Sequence, residues 1–245
     1  MQIPVIVNGA HGKMGSLACE TIKNHPDFLL VAGLTRQDNL RQAIAETKAT
    51  IVIDLTRADC VYENSLTIID SGAHPVIGTS GLLDDQIKTL KQYCDAQELG
   101  GIIVPNFSIG AVLMMRFAAQ AARFLTEVEI IETHHQQKLD APSGTAMKTA
   151  EMIAKARNSS PNQLALRELV SGARGGSHQG VPIHSLRLPG FIASQQVIFG
   201  SHGESLTISH NSIDRASFMP GLILACQGVQ KLNTLYYGLE TILDS

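Results

Sequence analysis

The apolar and polar positions of this chain fall into two rhythms, and the change comes near residue 105. Ile3 to Val7 is a short apolar run with no polar alternation, the pattern of a strand buried on both faces. It stops at NGAHGKMG, and Ser16 to His25 then shows helical spacing, with Leu17, Ala18 and Ile22 on one side. Phe28 to Thr35, Thr50 to Leu55, His74 to Ile77 and Ile102 to Val104 read as further buried strands. Asn39 to Thr47, Glu63 to Ser71 and Asp84 to Gln97 read as the helices between them. Strands alternating with helices predict a doubly wound parallel sheet.

After PNFSIG the rhythm changes. Ala111 to Leu125 reads as one helix, and EVEIIETHH has the alternation of a strand with one wet face. Gly144 to Arg157 is helical, and Leu166 to Gly180 is polar and glycine-rich, with ARGGSHQG as a loop. HSLRLPG, SQQVIFGS and ESLTISHNS read as antiparallel strands joined by turns at Pro189-Gly190 and His202-Gly203. From Ser217 to about Gln230 the pattern is helical again. The expected plan is α/β: a Rossmann-like domain of residues 1–105 and 216–245, and an inserted α+β substrate and oligomerisation domain of residues 106–215 with a mixed sheet. Hinges are expected at Pro105-Asn106 and around Arg215.

Composition narrows the function. A net charge of −3 and a pI near 6.3 show no basic excess, so no nucleic-acid partner is expected. The apolar N-terminal run is too short to span a membrane, so no membrane partner is expected and the chain reads as cytoplasmic. Its 4 cysteines form no CxxC pair and read as reduced thiols.

VIVNGAHGKMG places Gly9, Gly12 and Gly15 between a strand and a helix. Small residues let a backbone approach a pyrophosphate, and a helix N-terminus offers free N–H groups and a positive dipole end. The stretch Gly9, Ala10, His11, Gly12, Lys13, Met14 and Gly15 is therefore expected to hold a dinucleotide. The end of the second strand usually carries an acid for a free ribose 2′-hydroxyl. This chain has Thr35-Arg36 there. An arginine attracts a 2′-phosphate and can pair with it bidentately, and Lys13 adds a second cation, so NADPH is expected over NADH, with NADH possible. The blander reading has Arg36 stacking on adenine, which leaves the preference mild. IGTSG and VPNFS end two later strands. Gly78, Thr79 and Ser80, with Val104, Pro105, Asn106 and Phe107, are expected to line the same crevice.

The densest chemistry lies in IIETHHQQKLDAPSGTAMK, Ile130 to Lys148. His134 and His135 end a strand and point to opposite faces if the segment stays extended. A histidine can deliver a proton near neutral pH. Lys138 adds a cation for a carboxylate or a second proton source. Ser143-Gly144-Thr145 opens a helix, so its amides and hydroxyls form an anion site. A zinc site is the weaker reading, because HHxxxK lacks the spacing and carboxylate partners of one. A hydride donor in one lobe and a proton donor with a carboxylate clamp in the other imply reductive addition to a C=N or C=C bond of an acidic metabolite.

These residues carry a family resemblance. GAHGKMG (9–15), DLTR (54–57), GTSG (78–81), PNFSIG (105–110), ETHHQQKLDAPSGTA (132–146), HSLRLPG (184–190) and SFMPG (217–221) stand in one order along nearly the whole chain. Together they resemble the 4-hydroxy-tetrahydrodipicolinate reductase (dihydrodipicolinate reductase) family of bacterial lysine and diaminopimelate biosynthesis. The resemblance implies NAD(P)H in the N-terminal lobe, and a dicarboxylate substrate and homotetramer contacts in the inserted one. It implies that His134 is the catalytic proton donor and Lys138 the catalytic lysine. It implies that His135, Ser143, Gly144 and Thr145 hold the substrate carboxylates. It also implies hydride transfer to ring carbon C4 as the hydroxyl leaves as water, giving tetrahydrodipicolinate. Many members of that family carry a glutamate where this chain has Thr35. Two other readings share the glycine loop: another NAD(P)-dependent dehydrogenase of amino or imino acids, and a catalytically silent NADP(H) sensor. Neither accounts for the HHxxxK–SGT block.

Overall fold

In the computed structural model, which describes residues 2–158 and 167–243, the apolar runs of the first hundred residues become neighbours in one sheet. The strands are β1 (Ile3–Asn8), β2 (Phe28–Leu34), β3 (Ile51–Asp54), β4 (His74–Ile77) and β5 (Gly101–Ile103). The helices between them are α1 (Lys13–Lys23), α2 (Leu40–Thr47), α3 (Val61–Asp70) and α4 (Asp84–Ala96). α1 starts at Lys13, one turn before the helical spacing becomes readable. The chain divides into two compact units, residues 1–109 with 218–245, and residues 110–217.

The first unit is a six-stranded sheet in the order β11-β5-β4-β3-β1-β2, where β11 is Leu235–Tyr237, and every pairing is parallel. All four residues of β3 and the last four of β1 are buried. Helices on both faces remove these strands from water, which is why their sequences are apolar without alternation. α2 and α3 enclose Ile6, Leu34, Ile44, Val52 and Ile68 on one face. α3 and α4 continue that face over Ile69, Ile77, Leu90 and Ile103. α1 and α7 (Met219–Val229) cover the other. α7 returns to this unit after the second unit has been made.

The second unit holds α5 (Ile109–Ala121) from Gly110 onward, β6 (Glu127–His134), α6 (Gly144–Ala156), β7 (Gly176–His178), β8 (Val181–Arg187), β9 (Ala193–Ser201) and β10 (Glu204–Ser212). Its sheet runs β10-β9-β6-β8-β7 and is mixed, because β6 and β8 are parallel while the other pairs are antiparallel. The His202-Gly203 turn does join an antiparallel pair, β9 and β10, with Gly203 at φ +79. The Pro189-Gly190 turn does not: β6 lies between β8 and β9, so the expected hairpin there is replaced by a connection across a strand. Two short strands also emerge that the pattern does not announce, β7 and β11. β7 lies in the polar stretch read as a loop, whose first residue, Leu166, is outside the described residues. The β7–β8 turn is Gln179-Gly180, with both φ angles positive at 50 and 75, the geometry of a two-residue hairpin turn. Val128, Ile130, Ile183, Val197 and Phe199 form the buried face of this sheet.

Candidate active site

In the first unit the strand order reverses between β1 and its neighbours, and ligands of open α/β sheets bind beyond the carboxyl ends at such a point. The glycine loop lies there. Gly9 has φ +91, and a Cβ on it would lie 2.4 Å from the Leu55 carbonyl oxygen. A Cβ on Gly15 would lie 2.0 Å from the Gly9 carbonyl oxygen. Those two glycines are required by the loop itself. Gly12 differs: it is the N-cap of α1, provides no side-chain cap, and its Cβ would meet only the Gly9 oxygen, at 3.3 Å. The first turn of α1 contains no acidic residue. Its amides are thus open to an anion such as a pyrophosphate, and the residues fit a dinucleotide. His11 and Lys13 are exposed beside Gly12, Met14 is half-buried and Ala10 buried.

Below the loop, Asp54 is a fully buried hydrogen-bond hub. It accepts from Asn8 Nδ2 at 3.1 Å, Asn64 Nδ2 at 2.9 Å, Thr56 Oγ1 at 2.7 Å and Thr79 Oγ1 at 2.6 Å. A buried carboxylate persists only when its lone pairs are filled in this way. Thr79 Oγ1 also accepts from the Thr56 amide at 2.8 Å. Its hydroxyl therefore joins the ends of β3 and β4, and its one proton is already given to Asp54. Phe107 packs on Gly78, where a Cβ would lie 2.5 Å from the Phe107 ring. That ring is buried, as is Val104, whereas Ser80 and Pro105 are exposed. Asn106 Oδ1 accepts from the Ser108 amide at 2.8 Å.

The sequence pattern puts Thr35-Arg36 at the end of β2 and no acid; the structure adds one. The chain turns, and Asp38 Oδ2 accepts from the Thr35 amide at 2.7 Å and from Thr35 Oγ1 at 2.8 Å. The Thr35 amide, then its hydroxyl, hold the Asp38 carboxyl below its usual range, with a smaller contribution from His11. Arg36 is exposed.

In the second unit the alternation of β6 puts Val128, Ile130, Glu132 and His134 on one face. Glu132 is fully buried there. Its Oε2 lies 2.5 Å from His134 Nδ1. Arg187 donates to both its oxygens at 2.9 Å, a bidentate pair. The Ser143 amide donates to Oε1 at 3.2 Å. Burial alone would raise the Glu132 carboxyl, but hydrogen bonds from His134, Arg187 and Ser185 outweigh it and hold it at about 2. Parallel pairing explains the convergence: His134 stands opposite Arg187, and Glu132 opposite Ser185.

The network extends to the other expected residues. Arg187 Nη2 donates to the Asp140 carbonyl at 2.6 Å. Lys138 Nζ donates to both Asp140 carboxylate oxygens, at 2.8 and 2.7 Å, and keeps the Asp140 carboxyl below its usual range. Ser143 is the N-cap of α6 and its Oγ accepts from the Ala146 amide at 3.2 Å. Gly144 is exposed, and a Cβ on it would meet nothing within 4 Å among the described residues. Thr145 is half-buried one residue further along the helix. His135 is half-buried, and its carbonyl accepts from the Lys138 amide at 3.1 Å, closing a turn. A histidine paired with a buried carboxylate, a lysine and a capped helix N-terminus thus share one end of the second unit, an arrangement suited to an anionic substrate.

The comparison with known proteins decides the family. Residues 3–107 match the model "Dihydrodipicolinate reductase, N-terminus", and residues 110–243 match "Dihydrodipicolinate reductase, C-terminus". The chain belongs to the dihydrodipicolinate reductase family. It is 65% identical over 243 residues to the 4-hydroxy-tetrahydrodipicolinate reductase of Legionella pneumophila, covering 99% of this chain and 100% of that one. The reductase of the same name from Coxiella burnetii is 51% identical over the same shares. A dipicolinate-bound dihydrodipicolinate reductase from Paenisporosarcina sp. TG-14 superposes with a TM-score of 0.92 at 42% identity, covering 99% and 100% of the two chains. A myo-inositol 2-dehydrogenase from Lactobacillus plantarum shares the fold alone, with a TM-score of 0.64 at 8% identity.

Within this dihydrodipicolinate reductase fold, three residues of the site lie inside the motifs DLTR, ETHHQQKLDAPSGTA and HSLRLPG, but a reading of the sequence gives them no role of their own: Asp54, Glu132 and Arg187. Glu132 did leave a signal. It occupies a core-face position of an alternating strand, and a carboxylate there demands a cationic partner.

Proposed function

We propose that this chain reduces 4-hydroxy-tetrahydrodipicolinate to tetrahydrodipicolinate with NAD(P)H and loss of water, in lysine and diaminopimelate biosynthesis. The observation that carries this is the full-length match, at 65% identity, to a reductase of that name. Bound NAD(P)H supplies a hydride that replaces the C4 hydroxyl.

The chain's own residues do the rest. Residues 1–105 with 216–245 bind the cofactor. The amides around Gly9, Gly12 and Gly15 hold its pyrophosphate, and the strand ends at Gly78–Ser80 and Val104–Phe107 offer backbone groups to the nicotinamide side. Arg36 and Lys13 supply cations for a 2′-phosphate, which favours NADPH. Residues 106–215 bind the substrate. His134 turns Nδ1 to Glu132, which leaves Nε2 to deliver the proton that departs with the hydroxyl as water. Lys138, held by Asp140, presents its charge to a substrate carboxylate. His135, Ser143, Gly144 and Thr145 hold the carboxylates at the start of α6, where the helix dipole favours negative charge. The sheet face turned away from Glu132 and His134 carries Ile131, Leu186 and Ile198, which supports a homotetramer assembled through this sheet. The enzyme works in the cytoplasm.

The test is oxidation of NADPH and NADH in parallel, with substrate generated in situ by the preceding synthase from pyruvate and aspartate semialdehyde. Turnover is expected with NADPH favoured. His134→Gln and Lys138→Ala are expected to lose turnover and keep cofactor affinity. No turnover from protein that binds NADPH would overturn the reaction, and unchanged turnover in both variants would overturn the roles.

A further inference from the structure

An acid at the end of the second strand of a dinucleotide-binding sheet accepts from the ribose 2′-hydroxyl and opposes a 2′-phosphate. Counted along the strand, this chain lacks one, since Thr35 and Arg36 follow Leu34 directly. The turn after β2 changes that. Asp38 Oδ2 is pinned by the Thr35 amide and hydroxyl, at 2.7 and 2.8 Å. Leu34, the residue before Thr35, accepts at its carbonyl from the amides of Gly9 and Ala10, both at 2.9 Å. The carboxylate is therefore fixed beside the glycine loop. Asp38 is exposed, and both hydrogen bonds that its carboxylate accepts from the described residues fall on Oδ2, none on Oδ1. One oxygen is anchored and the other is free toward solvent, at the place where a ribose is read.

We propose that Asp38 is this chain's reader of the adenosine ribose, and that it works against Arg36 so that NADH is also accepted. The inference rests on the cofactor reading above. A free 2′-hydroxyl donates to Oδ1. A 2′-phosphate meets the Arg36 guanidinium but also a carboxylate that cannot swing away, because Thr35 holds it. The two opposed charges set the ratio between the cofactors. A purely structural Asp38, capping the turn, would give neither effect.

Asp38→Asn separates these roles, because an amide oxygen can still cap Thr35 while the charge is lost. Asp38→Ser is the second variant, since a hydroxyl can make the same cap. NADH and NADPH affinities are measured directly by nucleotide fluorescence in the full chain, without substrate, alongside Tm. Both variants are expected to bind NADH about tenfold more weakly or worse and NADPH at least as tightly. An unchanged NADH-to-NADPH affinity ratio in a folded variant overturns the proposal, as does a parallel loss of both affinities. Failure of the unaltered chain to bind either cofactor overturns the reading on which the proposal stands.

Discussion

Glu132 Oε2 and His134 Nδ1 lie 2.5 Å apart on one face of β6, two residues apart in sequence, with the carboxylate fully buried. The bidentate Arg187 pair lets that charge exist inside the second unit. Glu132→Gln leaves the Arg187 guanidinium without its counter-charge, a change that costs about 3–5 kcal/mol for buried pairs. It also removes the group that orients the imidazole. The expected outcome is a lower Tm together with a large loss of kcat at little change in cofactor affinity.

The same carboxyl makes stability depend on acid. Its folded value of about 2 lies below its ordinary 4.5. The stabilisation is therefore present above pH 4.5 and is lost as pH falls toward 2, because the unfolded chain takes up the proton first. The span corresponds to roughly 3 kcal/mol. Urea unfolding of the unaltered chain and of Glu132→Gln at pH 7 and pH 3 checks this. The stability gap between them is expected to narrow at pH 3, and a constant gap would refute it.

Gly144→Ala isolates ligand approach from folding. The added methyl meets nothing within 4 Å among the described residues, and alanine favours a helix over glycine by roughly 0.5–1 kcal/mol. Tm should hold or rise slightly. Affinity for pyridine-2,6-dicarboxylate, a flat substrate mimic, should fall about tenfold, by roughly 1.4 kcal/mol. Calorimetric titration reads this directly, and an unchanged affinity removes Gly144 from the substrate site.

The glycine loop predicts a contrast between neighbours. Gly15→Ala drives a methyl to 2.0 Å from a backbone oxygen and should destabilise the first unit by about 1–3 kcal/mol. Gly12→Ala meets its nearest atom at 3.3 Å and should keep the fold while weakening NADPH binding. Thermal denaturation and cofactor titration of the pair suffice. Equal Tm losses would contradict the division of roles.

Arg36→Ala should weaken NADPH about tenfold or more and leave NADH nearly unchanged, because only the 2′-phosphate uses the guanidinium. Parallel titrations of the two cofactors decide it. Equal weakening of both would return Arg36 to stacking on adenine.

Much of this fold is legible in the sequence because double burial writes itself as unbroken apolar runs. Ile3–Val7 and the run through Ile51–Ile53 could hardly be anything but inner strands. The HHxxxK–SGT block is legible for another reason, since its parts are adjacent along the chain. What hides is whatever depends on pairing. β7 and β11 have three residues each, too few to show a period of two. Asp38 hides because a turn, not its position in the strand, brings it back to Thr35. Glu132 and Arg187 stand 55 residues apart, and nothing local says that β8 lies parallel to β6.

That separation has a consequence for how the protein comes into being. A contact spanning so much chain carries a loop-closure cost before it returns anything, and parallel pairing of distant segments is intrinsically slow. The half-buried guanidinium that neutralises the buried Glu132 arrives only when β8 docks on β6. Any chain released from the ribosome before Arg187, or trapped with β8 undocked, lacks the guanidinium that Glu132 needs. Recovery of turnover after dilution from denaturant therefore marks completed assembly of the second unit, and it should never run ahead of the return of that unit's sheet signal.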